Sequence, residues 1–486
     1  MEVGAGNDGD TLALDFLFHP RSVAVAGVSQ DAFNPGQILF IPLLSSGFQG
    51  DIYPIHPKGG TNSGLKCYTS LREVPGPVDL VISAIPSRFT PQLVEDCVAK
   101  GVKACSFFTA GFSETGEDDA IELEAELLQI ARAGGVRLVG PNCMGIYCPS
   151  SGMSFGIDFP KEVGHLGLLC QSGGNTIYLI RASAVRGIRM SKAISYGNAC
   201  DINECDLLEY FTQDPETQII AAYIEGVKDE GKRFVKAMRE AASAKPLIAL
   251  KGGQTESGAS TVASHTGSLA GSTVVWDSLI DQVGAIPVSN LDEMVDVASV
   301  FTYMPPLKGR RVAIIGIGGG ASVLAADDCA KANLIVPRLP VEVTDRLKQL
   351  TTAAGNMFGN PVDTQAFMVG SDEFAETIKI VGAWNGVDLL LLHLAHDLMG
   401  ASIDAMIDLG LTRYMTQVMV DAAKEVGKPV AVVLHFTTLT RSYQAVCEAR
   451  ELCWKSGVPV FFSISAAANA IDKVLRYHQR KNGVVT

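Results

Sequence analysis

"SVAVAGVS", residues 22–29, decides the fold: Val23 to Ala26 form a short apolar run that ends at Gly27 and Ser29. An apolar run of strand length that breaks at a glycine reads as a buried β-strand entering a tight turn. Further β-rich runs follow at "DIYPIHP" (51–57), "VDLVISAIP" (78–86), "KACSFFTAG" (103–111) and "VRLVGPN" (136–142), with helical patterns between them. One of those helices is well signalled, with Thr90 placed to cap its start, Pro91 in its first turn and Gly101 at its end. Strands alternating with helices predict βαβ units around a parallel sheet.

The same alternation recurs twice. A second series holds "HLGLLCQS", "SKAISYG", "TQIIAAYIE" and "KPLIALKGG", and closes in an amphipathic helix near 290–302. After the linker "YMPPLKGR" (303–310) a third series contains "RVAIIGIGGG", "VDLLLLHLAH", "PVAVVLHF" and "VPVFFS". The expectation is an α/β protein of three domains, 1–150, 151–305 and 306–486, a number in keeping with 486 residues.

Composition narrows the function classes. With 47% hydrophobic and 19% charged residues the chain is ordinary for a globular protein. Its formal net charge of −13 disfavours nonspecific binding to nucleic acid or anionic lipid, because like charges repel. Eleven cysteines without a CxxC pair point to reduced thiols and away from a disulfide framework or a thiolate metal site. The N-terminal stretch has no basic head followed by a long apolar segment, and runs such as "VDLLLLHLAH" (387–396) are too short to cross a bilayer, so a cytoplasmic protein is expected.

Several motifs carry chemistry, each with a plain structural reading beside it. The first strand-to-helix turn offers Gly27, Ser29, Gln30 and Gly36, where free amides and the helix dipole favour phosphate. It is not GxGxxG, and Lys58 in "YPIHPK" stands where a nicotinamide site would place an acid. An ammonium suits a phosphorylated nucleotide such as coenzyme A; the alternative is an ordinary turn and a solvated lysine. "LLCQSGGNT" repeats the form, with Ser172, Gly173 and Gly174 entering a helix as either a phosphate cradle or a tight turn. "IIAAYIEGVKD" ends a strand at Glu225, where parallel sheets collect ligands or where a solvated acid starts a loop.

The stretch "KGGQTESGASTVASHTGSLAGS" (251–272) has thirteen Gly, Ser or Thr among its 22 residues and reads as a long mobile loop. It carries His265 without a second His or Cys at ligand spacing, so acid/base or nucleophilic chemistry is favoured over metal binding and weighed against a plain surface histidine. Glu225 is available as the acceptor that fixes the imidazole. Glycines 316, 318, 319 and 320 are read as close helix-to-strand packing rather than a phosphate loop, and His393, His396 and His435 as core or interface residues.

Taken in order, "LFHPRSVAVAGVS", "YPIHPK", "TAGFSE", "GPNCMG", "QSGGN", "SYGNACDINECDLLEY", "YIEGVKD" and "SHTGSLAG", together with "GNPVD" (359–363), resemble the motifs of the NDP-forming acyl-CoA synthetases, the ADP-forming acetate–CoA ligase group related to succinyl-CoA synthetase. The resemblance implies a Rossmann-like CoA-binding domain followed by two flavodoxin-like, succinyl-CoA synthetase-like domains. It implies CoA at Gly27, Ser29, Gln30, Lys58 and Pro86, with Asn142 and Cys143 near the thiol end. It also implies a phosphorylated histidine at His265, a carboxylate partner at Glu225 and a phosphate-binding helix start at Ser172, Gly173 and Gly174.

In this family the nucleotide site lies on an ATP-grasp module, and the third α/β series leaves no room for one. The resemblance therefore implies an α-type subunit that uses ATP or ADP with Mg through a separate ATP-grasp β-type subunit, as a hetero-oligomer or homodimer. The implied reaction joins a small carboxylic acid to CoA with conversion of ATP to ADP and phosphate, through an acyl phosphate and phosphohistidine. The rival readings are a non-catalytic CoA-binding regulatory or scaffold subunit and an NAD-dependent oxidoreductase; Lys58 disfavours the latter.

Overall fold

Every β-rich run quoted above carries a strand, and the strands gather into three sheets. The computed structural model describes residues 12–266, 273–316, 318–350, 356–364, 371–394, 410–435 and 440–483. The first sheet is fully parallel, in the order Asp51–Ile55, Ser22–Ala26, Leu80–Ser83, Ala104–Phe107, Arg137–Val139. The second runs Ile286–Pro287, Leu247–Lys251, Ile219–Ile224, Leu166–Cys170, Met190–Ser195 and Gly145–Tyr147, of which only the last pairs antiparallel. The third runs Met357–Phe358, Val362–Asp363, Val312–Gly316, Leu389–Leu394, Val430–Leu434 and Val460–Phe461, with an antiparallel first pair. The fold is thus α/β with mainly parallel sheets.

The chain divides into two compact units. One holds the residues up to Ala184 together with Arg189–Leu291, and so contains the first two sheets; the other holds Val185–Ile188 and everything from Asp292 onward. Parallel strands covered on both faces must be apolar throughout, and the central strands are: Ser22–Ala26, Leu166–Cys170, Val312–Gly316 and Val430–Leu434 are buried at every position. In the first unit one core runs from Leu17, Phe18 and Phe40 to Tyr196, Tyr210, Phe211 and Leu247, joining the two sheets.

Local chemistry sets the turns. Gly27 has φ +96°, and a Cβ there would lie 2.7 Å from the Ala84 carbonyl oxygen, so the turn after the first strand requires glycine. Gly101 ends the helix Thr90–Lys100 in the left-handed region, as expected. Thr90 is not the cap: its hydroxyl donates to the Ser87 carbonyl at 2.6 Å, and a short 3-10 turn precedes the helix.

The expected loop over 251–272 is corrected for half of its length, because Glu256–Thr266 is an α-helix. Thr255 caps it by accepting a hydrogen bond from the Gly258 amide at 3.1 Å, and Glu256 places negative charge in the first turn. These start signals outweigh the weak propensity of the serines and glycine. His265 lies near the end of this helix; its side chain, and residues 267–272, are outside the described residues.

In the second unit His393 is buried at the end of Leu389–Leu394, as expected for a core residue. Its ring lies against Gly316, where a Cβ would come within 2.2 Å of it, so this glycine permits close packing. His435 stands beside it, ring centroids 5.7 Å apart. His396 lies outside the described residues. Among the described residues no helix is long and apolar enough to cross a membrane, and no group of three His, Cys, Asp or Glu is arranged to hold a metal. All eleven cysteines are free thiols.

Burial, with the neighbouring His435, lowers the His393 pKa to about 4 from 6.5. A histidine held neutral in the fold is protonated first in the unfolded chain, so its contribution to stability falls as the pH drops from about 6.5 towards about 4. Wild type should therefore lose about 2 kcal/mol more than His393→Leu between pH 7 and pH 5, measured by urea unfolding of each at the two pH values.

Candidate active site

The site is assembled where the C-terminal edges of the first two sheets meet, both within the first unit. In open α/β sheets this is where ligands collect, because helix N-termini and free amides face outward there. Three strands set its floor. Leu166–Cys170 leads into Gln171 and the helix Gly173–Val185; Ile219–Ile224 ends at Glu225; Leu247–Lys251 ends at Gly252.

Gln171 joins two of these strands. Its amide nitrogen donates to the Tyr223 carbonyl at 3.1 Å, and its side-chain Oε1 accepts from the backbone amides of Glu225 at 2.7 Å and Gly226 at 3.1 Å. Glu225 is 4% exposed, and the Tyr223 hydroxyl donates to its Oε1 at 3.1 Å. The Lys251 ammonium donates to the Glu225 carbonyl at 2.6 Å and to the Gly252 carbonyl, and burial lowers its pKa. Burial likewise raises the Tyr223 phenol, so it stays protonated and donates to the carboxylate.

Beside this floor, Ser172, Gly173 and Gly174 open the next helix. A Cβ on Gly174 would meet nothing within 4 Å, whereas Gly173 is pressed against Met144, whose Cγ lies 2.7 Å from the position of an added Cβ. Ser172 accepts from the Asn175 amide at 3.4 Å, and its carbonyl receives the Thr176 hydroxyl at 2.7 Å. The first amides of an α-helix have no partner within the helix, which is why helix starts at the ends of parallel strands can hold anions.

Met144 belongs to "GPNCMG", and this turn carries the first domain's edge to the second. Asn142 occupies the left-handed region at φ 58°, its amide donates to the Thr109 carbonyl at 3.0 Å, and Thr109 in turn donates to the Ile85 carbonyl at 2.6 Å, next to Pro86. Gly27, with its close approach to Ala84, continues the line. Gly27, Pro86 and Asn142 therefore share one edge. Ser29, Gln30 and Lys58 stand at its outer margin: Ser29 accepts from the Asp31 amide at 3.1 Å, Gln30 reaches Thr61 at 3.5 Å, and Lys58 is exposed. Cys143 differs, since its thiol is buried against the Phe107 carbonyl at 3.4 Å and burial pushes it up to about 12. Its side chain packs into the core, and its backbone amide donates to the Phe107 carbonyl at 3.2 Å.

Two groups in the quoted motifs were not singled out beforehand. Asn198, fully buried, donates through Nδ2 to Glu114 Oε2 at 2.6 Å and to Glu124 Oε2 at 3.0 Å, while its amide donates to the Pro141 carbonyl at 3.0 Å. Glu114 also receives the Gly111 and Phe112 amides at 2.5 and 3.1 Å. The helix Glu256–Thr266, which carries His265, packs on the turn Ser113–Thr115 that Glu114 anchors. The signal was present in "TAGFSE" and "SYGNAC", but the partners are distant in sequence.

Residues 21–149 match the CoA binding domain family, and residues 163–301 the succinyl-CoA ligase like flavodoxin domain family. The chain is 35% identical over 464 residues to the acetate–CoA ligase [ADP-forming] II subunit alpha of Pyrococcus furiosus, covering 94% of this chain and 97% of that one. The chain belongs to the ADP-forming acetate–CoA ligase family. Another member, the acetate–CoA ligase [ADP-forming] of Methanocaldococcus jannaschii, is 37% identical over 352 residues, and the match spans about half (49%) of its length. Among solved structures, the dinucleotide forming acetyl-coenzyme A synthetase 1 of Ca. Korarchaeum cryptofilum, in complex with phosphate and ADP, superimposes with a TM-score of 0.81 at 30% identity, covering 97% of this chain and 98% of that one.

Membership of this ligase family makes the Gln171 contact testable. Gln171→Leu would strand two buried amides, each a loss of about 1–3 kcal/mol, and release the Glu225 backbone. The expected outcome is a lower denaturation midpoint together with at least about tenfold lower kcat, with KM for CoA changed less than twofold in steady-state assays.

Proposed function

We propose that the chain is the alpha-type subunit of an ADP-forming acyl-CoA synthetase, converting a small carboxylic acid, CoA and ATP to acyl-CoA, ADP and phosphate. The observation that carries this reading is the contact of the "GPNCMG" turn with the helix start at Gly173, which sets a CoA-type edge against an anion-binding helix beside the buried Glu225. The relatives' names as alpha subunits support the rest of the assignment.

In this proposal Gly27, Ser29, Gln30, Lys58 and Pro86 hold the nucleotide part of CoA, and the backbone of Asn142 and Cys143 guides its thiol end. His265 takes the phosphoryl group, forming an N–P bond as the P–O bond to the nucleoside diphosphate breaks. A carboxylate oxygen of the acid then displaces the imidazole, giving an acyl phosphate. The CoA thiolate attacks its carbonyl carbon and phosphate leaves. The amides at Ser172, Gly173 and Gly174 stabilise the charge on phosphorus, and Glu225 fixes the imidazole in the tautomer that can react.

ATP and ADP, with Mg, belong in the proposal to a separate ATP-grasp β-type subunit, in a hetero-oligomer or a homodimer of such pairs. The domain limits in this reading are 1–150, 151–305 and 306–486; the family matches at 21–149 and 163–301 support the first two. The compartment is proposed to be the cytoplasm.

The test is His265→Ala assayed with its partner subunit. Acyl-CoA formation should fall by about a thousandfold or more while the CoA dissociation constant, measured by calorimetry, stays within about twofold. Wild-type turnover in the variant would leave a CoA-binding scaffold.

A further inference from the structure

Away from the site lies a second reactive cluster that the ligase reaction does not use. Tyr147 pairs with Ala193, so the chain beyond it reaches Cys148 beside Lys192, towards the N-terminal end of the strand Met190–Ser195 and away from the ligand edge. Here Asp15 Oδ1 lies 2.9 Å from His19 Nδ1 and also accepts from the Tyr210 hydroxyl at 3.1 Å, while the Tyr210 ring stacks on Phe18 with centroids 4.9 Å apart. An aspartate at that distance fixes hydrogen on Nδ1 and leaves Nε2 to face outward. Nε2 lies 3.8 Å from Cys148 Sγ and 3.2 Å from Ser150 Oγ, and Sγ to Ser150 Oγ is 3.2 Å. A nucleophile, a base and a group that orients the base stand in sequence, the arrangement that activates thiols.

We propose that Cys148 is an oxidation site for small hydroperoxides, with His19 as its proton donor and Asp15 and Tyr210 holding His19 in place. The thiolate sulfur attacks one peroxide oxygen; the S–O bond forms as the O–O bond breaks, so sulfur is oxidised by two electrons and the peroxide reduced. The departing hydroxide, or alkoxide for an organic hydroperoxide, takes the proton of the His19 imidazolium and leaves as water or an alcohol, and Cys148 is left as the sulfenic acid.

The electrostatics agree with this geometry. The hydrogen bond to Cys148 is the largest cause raising His19 to about 9, and the Cys148 thiol is lowered because the His19 and Ser150 hydrogen bonds outweigh its burial. The other titratable groups acting on the pair are Asp15, Tyr147, Tyr210 and the Lys192 ammonium. Cys148 is fully covered, and the exposed Ser150 forms part of the cover.

The experiment treats the full chain with hydrogen peroxide, traps sulfenic acid with dimedone and maps the adducts by mass spectrometry. Cys148 should be labelled ahead of Cys200 and Cys447, the two partly exposed thiols. His19→Gln should slow that labelling about tenfold or more at pH 7. If His19→Gln does not fold, as judged by its melting curve, wild type decides alone: labelling of Cys148 should fall clearly less between pH 8 and pH 6 than the roughly hundredfold loss of an ordinary thiol, because its thiol is lowered. Faster labelling of Cys200 and Cys447, or a tenfold loss per pH unit at Cys148, overturns the proposal.

Discussion

One side-chain oxygen, Oε1 of Gln171, takes hydrogen bonds from two successive backbone amides at Glu225 and Gly226. Because Gln171 also opens the turn into the helix Gly173–Val185, the same residue fixes the carboxylate strand end relative to the start of that helix. Buried amides must be satisfied, and here they are satisfied by a group that belongs to the site. The Tyr223 hydroxyl and the Lys251 ammonium complete the frame, so Glu225 is held from its side chain, its amide and its carbonyl. The third strand end leads directly into the segment that carries His265. In the proposed chemistry this frame is the side of the site that holds phosphate, and the histidine comes from a separate helix.

The second constraint is the seam between the first two sheets. Gly197 has no room for a Cβ, which would lie 2.2 Å from the Pro141 carbonyl oxygen, and the amides of Asn198 and Cys200 donate to Pro141 and Gly140. The backbone of one domain thus runs along the backbone of the other, and Asn198 extends the link to Glu114 and Glu124. The helix Glu256–Thr266 rests on the turn that Glu114 organises. In the proposed chemistry this connects the phosphoryl-bearing helix to the CoA-binding domain through a few buried hydrogen bonds.

The sequence disclosed the strands well because parallel strands covered on both faces are continuously apolar, and the runs ending at Gly27, Gln171, Glu225 and Gly316 are of that kind. It also placed Gln171, Ser172 and Glu225 at strand ends, since period and length alone locate those ends. It misjudged residues 256–266, where Ser and Gly content outweighed the capping of Gly258 by Thr255 and the acid at Glu256. Thr90 was assigned a cap that its hydroxyl does not make. The roles of Gln171 and Asn198 were not legible because each depends on a partner more than 50 residues away, and neither composition nor periodicity reports such pairings. Cys143 shows the converse: its motif was legible, but the direction of its side chain, into the core, follows from packing alone.

The central claim is that His265 carries phosphate. The most direct measurement incubates this chain and its partner subunit with an acyl-CoA and radiolabelled inorganic phosphate, then maps the label by peptide. The account predicts an acid-labile, base-stable label, about one per chain, on the peptide containing His265. A stably labelled peptide elsewhere in this chain, or no label under conditions in which acyl-CoA is consumed, would contradict it.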